Sequence, residues 1–174
     1  MATLKRISLV VLVSFLIISC NKNDDKPQLS DIDLSGTWEL TEYTEEGTSS
    51  ATILGTSVES TFTGLGKNLD AQVVFNKTPN TYVSSGSFVM ETTYTIEDQT
   101  TTEDVVIDNF LGTGEWEVSG NMLIINNETG ETAAEAIDVS TNKIKLKHYI
   151  EQEIPVQGFI FQTKVLSYIT VVRK

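Results

Sequence analysis

The stretch "KIKLKHYI", residues 143–150, alternates without a break: Ile144, Leu146, His148 and Ile150 fall on one face, and Lys143, Lys145, Lys147 and Tyr149 on the other. Successive side chains of an extended strand point to opposite faces, so this period of two predicts a strand with one face buried and the other in water. Residues 80–97 repeat the theme over a longer span. Tyr82, Phe88, Met90, Tyr94 and Ile96 share one parity, with Ser84, Gly86 and Thr92 between them, and Gly86 marks a bend or bulge. Further strands are expected at 36–43, 51–62, 70–76, 103–109, 114–118, 121–126, 133–139 and 157–172. No run of ten or more residues carries a capped 3.6-residue period, and only "TAAEAID" (132–138) offers a short helical turn.

"KTPN", "VSGN" and "NETG" place Gly, Pro and Asn where tight reversals need them. About eight to ten antiparallel strands with such short connections read as an up-and-down barrel or a sandwich. Closure favours the barrel, because an open sheet of this length would leave edges ready to pair with neighbours. In the C-terminal "IPVQGFIFQTKVLSYITVVRK" the alternation changes phase between Phe161 and Val165, which leaves the register of the last strand open.

The 174 residues suit a single domain, and 40% apolar content is enough for a core. One cysteine cannot form an intramolecular disulfide, nor a CxxC metal or redox pair. Twelve basic against twenty-four acidic residues give a net charge of -12, a surface that repels phosphates and argues against nucleic acid as a partner.

The N-terminus reads as a targeting segment spanning 1–19. Lys5 and Arg6 form a basic region, and "ISLVVLVSFLII" is a 12-residue apolar run. That run is too short to cross a ~30 Å hydrocarbon core, which takes roughly 20 residues. The leader ends Ile17-Ile18-Ser19-Cys20, which resembles the bacterial lipobox of aliphatic, variable, small residue and cysteine. The resemblance implies cleavage between Ser19 and Cys20, and lipidation of Cys20 by two or three acyl chains such as palmitate. Each buried CH₂ is worth ~0.8 kcal/mol, so several chains anchor where one would not.

"NKNDDKPQLSDID" follows with a proline and no apolar period, so residues 20–33 are expected to be the lipidated cysteine and a flexible tether. Asn21-Lys22-Asn23-Asp24-Asp25 resembles the lysine-plus-acidic export signals of Bacteroidota-type lipoproteins; equally, it is the polarity any tether needs. The expected location is the cell envelope, on the outer membrane, with surface display open.

From residue 34 to 174 a further resemblance emerges. "LSGTWELTEY" is similar to the G-x-W opening strand of lipocalin-like domains found in bacterial lipoproteins. "AQVVFNKTPNTYVSSGSF", "GTGEWEVSGNMLII" and "AIDVSTNKIKLKHY" resemble that family's strand-turn-Tyr segment, second G-x-W hairpin and late hairpin. The resemblance covers most of residues 34–150 and implies a small barrel with an interior pocket, Trp38 capping its floor.

Enzyme signatures are absent. There is no G-x-S-x-G elbow, Walker loop or G-x-G-x-x-G, and "GLGKN" at 64–68 reads as a turn. A single histidine and a single cysteine leave no zinc ligand cluster, and Asp31-Ile32-Asp33 lacks the rest of a calcium loop. No metal or cofactor is expected. Glu45-Glu46, Glu97-Asp98 and Glu103-Asp104 sit in turn-like stretches and read as solvated surface. The ligand-binding candidates are His148, as a polar handle in the lumen or a hydrogen-bonded core residue, and Trp38 and Trp116, as core indoles or as a stacking platform at the mouth. Two functions remain: a tethered barrel binding a small apolar or amphipathic molecule, or a filled barrel presenting loops to an envelope partner.

Overall fold

A computed structural model describes residues 27–156 and 158–174. The leader, the lipobox with Cys20 and the first part of the tether lie outside the described residues. After a single 3-10 turn at Leu29–Asp31, the chain is all β. The first three strands are long: β1 (Gly36–Ile53), β2 (Thr56–Asn76) and β3 (Thr81–Ile96). Next come β4 (Gln99–Asp108), β5 (Thr113–Ser119), β6 (Met122–Asn127) and β7 (Gly130–Val139), then β8 (Lys143–Val156) and β9 (Phe159–Arg173).

All pairings are antiparallel. From β1 they run through β9, β8, β7, β6 and β5 to β3, and β3 pairs back onto β2, which closes an up-and-down barrel. β4 and β5 share one edge of β3: Thr81–Val83 face β5, and Ser87–Ile96 face β4. The barrel therefore has unequal walls. β5, β6 and β7, of 7, 6 and 10 residues, make a low side. On the opposite side β1, β2, β3, β8 and β9, each 14 to 21 residues long, rise above it as a sheet that ends in β4.

Floor and core come from the inward parity. Trp38, fully buried, donates its indole N–H to the Leu34 carbonyl at 2.8 Å, and Leu29 and Leu34 are buried beside it. The Arg173 guanidinium lies 4.4 Å from the Trp38 ring centroid and donates to the carbonyls of Ser35, Asp33 and Thr141. A cation over an indole face adds a favourable electrostatic contact to the burial. The tether thus ends earlier than Asp33. Leu29 is buried because its N–H bonds Asn121 Oδ1 at 2.9 Å while Ser30 N–H bonds the Gly120 carbonyl, docking the turn under the β5–β6 hairpin.

Several expected elements are corrected. The run 51–62 is two strands, because β1 continues to Ile53 and the chain reverses at Leu54 and Gly55, both with positive φ (51° and 85°). "TAAEAID" forms no helical turn. It lies in β7, with Ala134 and Ala136 buried and a register shift between Ala136 and Asp138. "GLGKN" is not a reversal either: it lies inside β2, beside an irregularity between Lys67 and Asp70 where Asn68 takes φ 51°. Glu45-Glu46 and Glu103-Asp104 belong to β1 and β4, while Glu97-Asp98 is the β3–β4 turn. The β8–β9 ladder runs unbroken from Lys143 opposite Val172 to Val156 opposite Phe159. The apparent phase change in β9 arises because Thr163 and Ser167 are polar residues on the inner face, both buried.

Candidate functional site

Above the Trp38 floor the barrel interior is not filled. A cavity of about 380 Å³ remains between the low and high walls. That volume is within the range of ligand pockets for small molecules, roughly 300–1,000 Å³. Its deep surface is apolar: Val73 and Phe75 of β2, Leu123 and Ile125 of β6, and Ile144 and Leu146 of β8. The loop between β4 and β5 brings Phe110 and Leu111 over its rim. This loop is fixed on both sides of Gly86, since Asn109 N–H bonds the Gly86 carbonyl at 3.0 Å and Ser84 N–H bonds the Gly112 carbonyl at 2.8 Å. Phe110 stands edge-on to Phe88, centroids 6.0 Å apart.

Polar groups enter the cavity from both walls: Asn127, Thr129 and Thr132 on the low side, and a cross-strand row on the high side. His148 of β8 is opposite Ser167 of β9, Ser167 is opposite Glu45 of β1, and Glu45 is opposite Gly64 of β2. The row continues to Thr92 of β3 and Glu103 of β4. Directly opposed side chains in neighbouring strands lie about 5 Å apart, so the first three form a continuous polar belt. Below it is the row of Leu146, Ile169 and Tyr43, and above it Ile150 and Val165. Gly64 makes the belt possible: a Cβ there would sit 2.5 Å from Glu45 Cγ and 2.9 Å from Met90 Sδ, so the glycine vacates the space that the Glu45 side chain occupies.

The electrostatics of the belt follow from burial. Desolvation pushes the Glu45 carboxyl up, opposed only by the Tyr43 hydroxyl, which donates to Oε2 at 3.4 Å. Tyr43 is itself pushed up, first by burial and then by the neighbouring Glu45 charge. Burial holds the His148 imidazole below its ordinary value of 6.5, so it is neutral at pH 7. Among the described residues, no lysine or arginine lines the cavity.

The three residues singled out from the sequence separate. His148 faces the cavity on the inner parity of β8. Trp38 lies beneath the cavity as part of the floor and does not line it. Trp116 does not line it either. Its ring stands edge-on to Phe75 at 5.6 Å, and its N–H bonds the Asn76 carbonyl at 2.9 Å, pinning the β5 wall to the β2–β3 turn. Missed in the sequence were Tyr43 and Glu45 on the high wall, the Phe110-Leu111 loop, and Arg173 under the floor. Glu45 was detectable in principle, since Tyr43, Glu45 and Gly47 share a parity, but Gly47 removes the apolar contrast that would have exposed the strand. No family model, curated protein or solved structure matches the chain, and the cavity is the ground on which its function is read.

Proposed function

We propose that the chain is a lipid-anchored lipoprotein of the cell envelope whose lipocalin-like barrel binds a small apolar or amphipathic molecule. The observation that carries this reading is the cavity itself: about 380 Å³ of apolar-walled space in a domain whose floor is otherwise packed shut. Well-packed interiors leave few voids larger than a water molecule, so a space of this size supports a ligand. It weighs against the alternative of a filled barrel working through its loops. What favours a protein-contact role is β4. Val105 and Val106 are 49% and 62% exposed, and among the described residues no strand pairs with the outer edge of β4.

Native mass spectra of residues 21–174, purified gently from the native host and recorded before and after denaturation, test the ligand. A reproducible non-covalent mass is expected. A bare protein mass, together with no displacement of an apolar fluorescent probe by any of a broad set of lipids, overturns the reading. The anchor is tested separately: Cys20→Ala is expected to abolish labelling by a palmitate analogue, and persistent labelling overturns that part.

A further inference from the structure

We infer that the cavity selects an apolar molecule carrying a protonated amine, with Glu45 as the group that receives it; this rests on the cavity being a ligand site. Asn127, Thr129 and Thr132 of the low wall and the Tyr43 hydroxyl line the cavity as neutral polar groups, and among the described residues the one charged side chain on its lining is Glu45, in the belt with Ser167 and His148. Within that belt the one charge is a carboxylate. Among the described residues Glu45 takes part in no salt bridge, and its hydrogen-bond partner is the Tyr43 hydroxyl at 3.4 Å, a long contact that leaves acceptor capacity free.

A half-buried carboxylate with one weak donor is under-satisfied, and an ammonium group would supply both the charge and up to three donors. The Ser167 hydroxyl, 3% exposed, adds an acceptor on the neighbouring strand, and the neutral imidazole of His148, one strand further, brings no competing positive charge. A fatty-acid carboxylate meets the opposite situation. It would be buried beside Glu45 with no lysine or arginine to pair with, on a chain of net charge -12. Gly64 keeps Glu45 directed along the belt, because any side chain at that position would collide with its Cγ.

The test compares dodecylamine, dodecanol and dodecanoate, below their micelle-forming concentrations and at 0.15 M salt to screen the acidic surface, roughly an 8 Å Debye length. The protein is residues 21–174, which contain every strand of the ring and its floor. The amine is expected to bind about ten-fold more tightly than the alcohol, with the carboxylate weakest. Glu45→Gln should erase the preference for amine over alcohol. Glu46→Gln, on the neighbouring exposed position of β1, should preserve it and so separates the site from the general surface field.

In the parent protein the preference should also disappear at acid pH, where Glu45 is protonated and His148, the other titratable group of the belt, becomes charged; Glu45→Gln, which keeps His148, separates the two. Equal binding of all three probes, tighter binding of dodecanoate, or an undiminished amine preference in Glu45→Gln overturns the inference while leaving the cavity a ligand site. Failure of all three to bind overturns the cavity reading and the inference with it.

Discussion

Glu45 is the one acidic side chain among the described residues lining the cavity, and its ionisation has a stability consequence of definite sign. Burial raises its carboxyl above the ordinary glutamate value of 4.5, so on raising the pH the unfolded chain releases this proton before the folded one does. Stability contributed at this residue is therefore present below 4.5, declines as the pH rises towards the raised folded value, and stays lost above it. Asp33 and Glu42 act in the opposite sense. Hydrogen bonds from Ser35 and Thr170, respectively, lower their carboxyls, favouring the fold above 3.8 and 4.5 and fading on acidification. Comparing the parent with Glu45→Gln cancels those common contributions. The variant is expected to unfold at higher urea than the parent at pH 7, with the difference vanishing at pH 3. A variant that is less stable at pH 7 would show that the Tyr43 hydrogen bond outweighs the desolvation of the charge.

Among the elements, the strands with strong contrast between faces were legible and those with weak contrast were not. β8 was readable because three lysines alternate with Ile144, Leu146 and His148, and the observed inner face is the one that alternation predicts. β1 and β2 merge in the sequence because "TEEGTSSATILGTSVEST" offers small and polar residues on both parities, so neither the turn at Leu54 nor the length of either strand is marked. The β4–β5 junction was invisible for a different reason: it depends on which strand each segment pairs with, and pairing partners are not written in local pattern. Gly86 was the one local clue. It takes φ 78° at the point where the partner of β3 changes, opposite Ala71, and a Cβ there would overlap the Asp70 carbonyl. Gly86→Ala is accordingly expected to cost about 1–3 kcal/mol, from a left-handed backbone forced on alanine plus a backbone clash. Because the 109–112 loop bonds the Gly86 carbonyl, the same substitution should loosen the Phe110 rim and weaken retention of any apolar probe. Urea unfolding and probe binding measured on the one variant check both effects, and wild-type values in both would remove Gly86 from this role.

Across the whole molecule the walls divide the chain into two regimes of stability. Below the polar belt lie Trp38, Leu40, Val73, Phe75, Tyr82 and their neighbours, all buried in one continuous core. Above it, among the described residues, only Ala51 and Thr163 are buried, and the strand ends carry exposed Leu54, Ile96 and Ile160. Backbone hydrogen bonds are present in both regions, so what differs is the apolar burial that makes opening costly. β4 is the extreme case. Among the described residues it pairs along one edge only, almost every residue of it is exposed, and Glu103, Asp104 and Asp108 supply the like charges that discourage edge-to-edge association. Native-state hydrogen exchange should therefore resolve two groups of amides. Those of residues 71–75, 123–125, 144–146 and 169–172 should exchange only through global unfolding, with a denaturant dependence to match. Those of 48–53, 56–63, 93–104, 150–156 and 158–162 should open at free energies well below the global value and with little denaturant dependence, as a sheet that frays from its tips. A ligand seated at the belt contacts Ile150 and Val165 from below, so adding one should raise protection in the lower part of the extension first and reach the tips least. Uniform protection from floor to tip would instead mean that the high wall is held by something beyond its own burial, and would shift weight to a protein contact along β4.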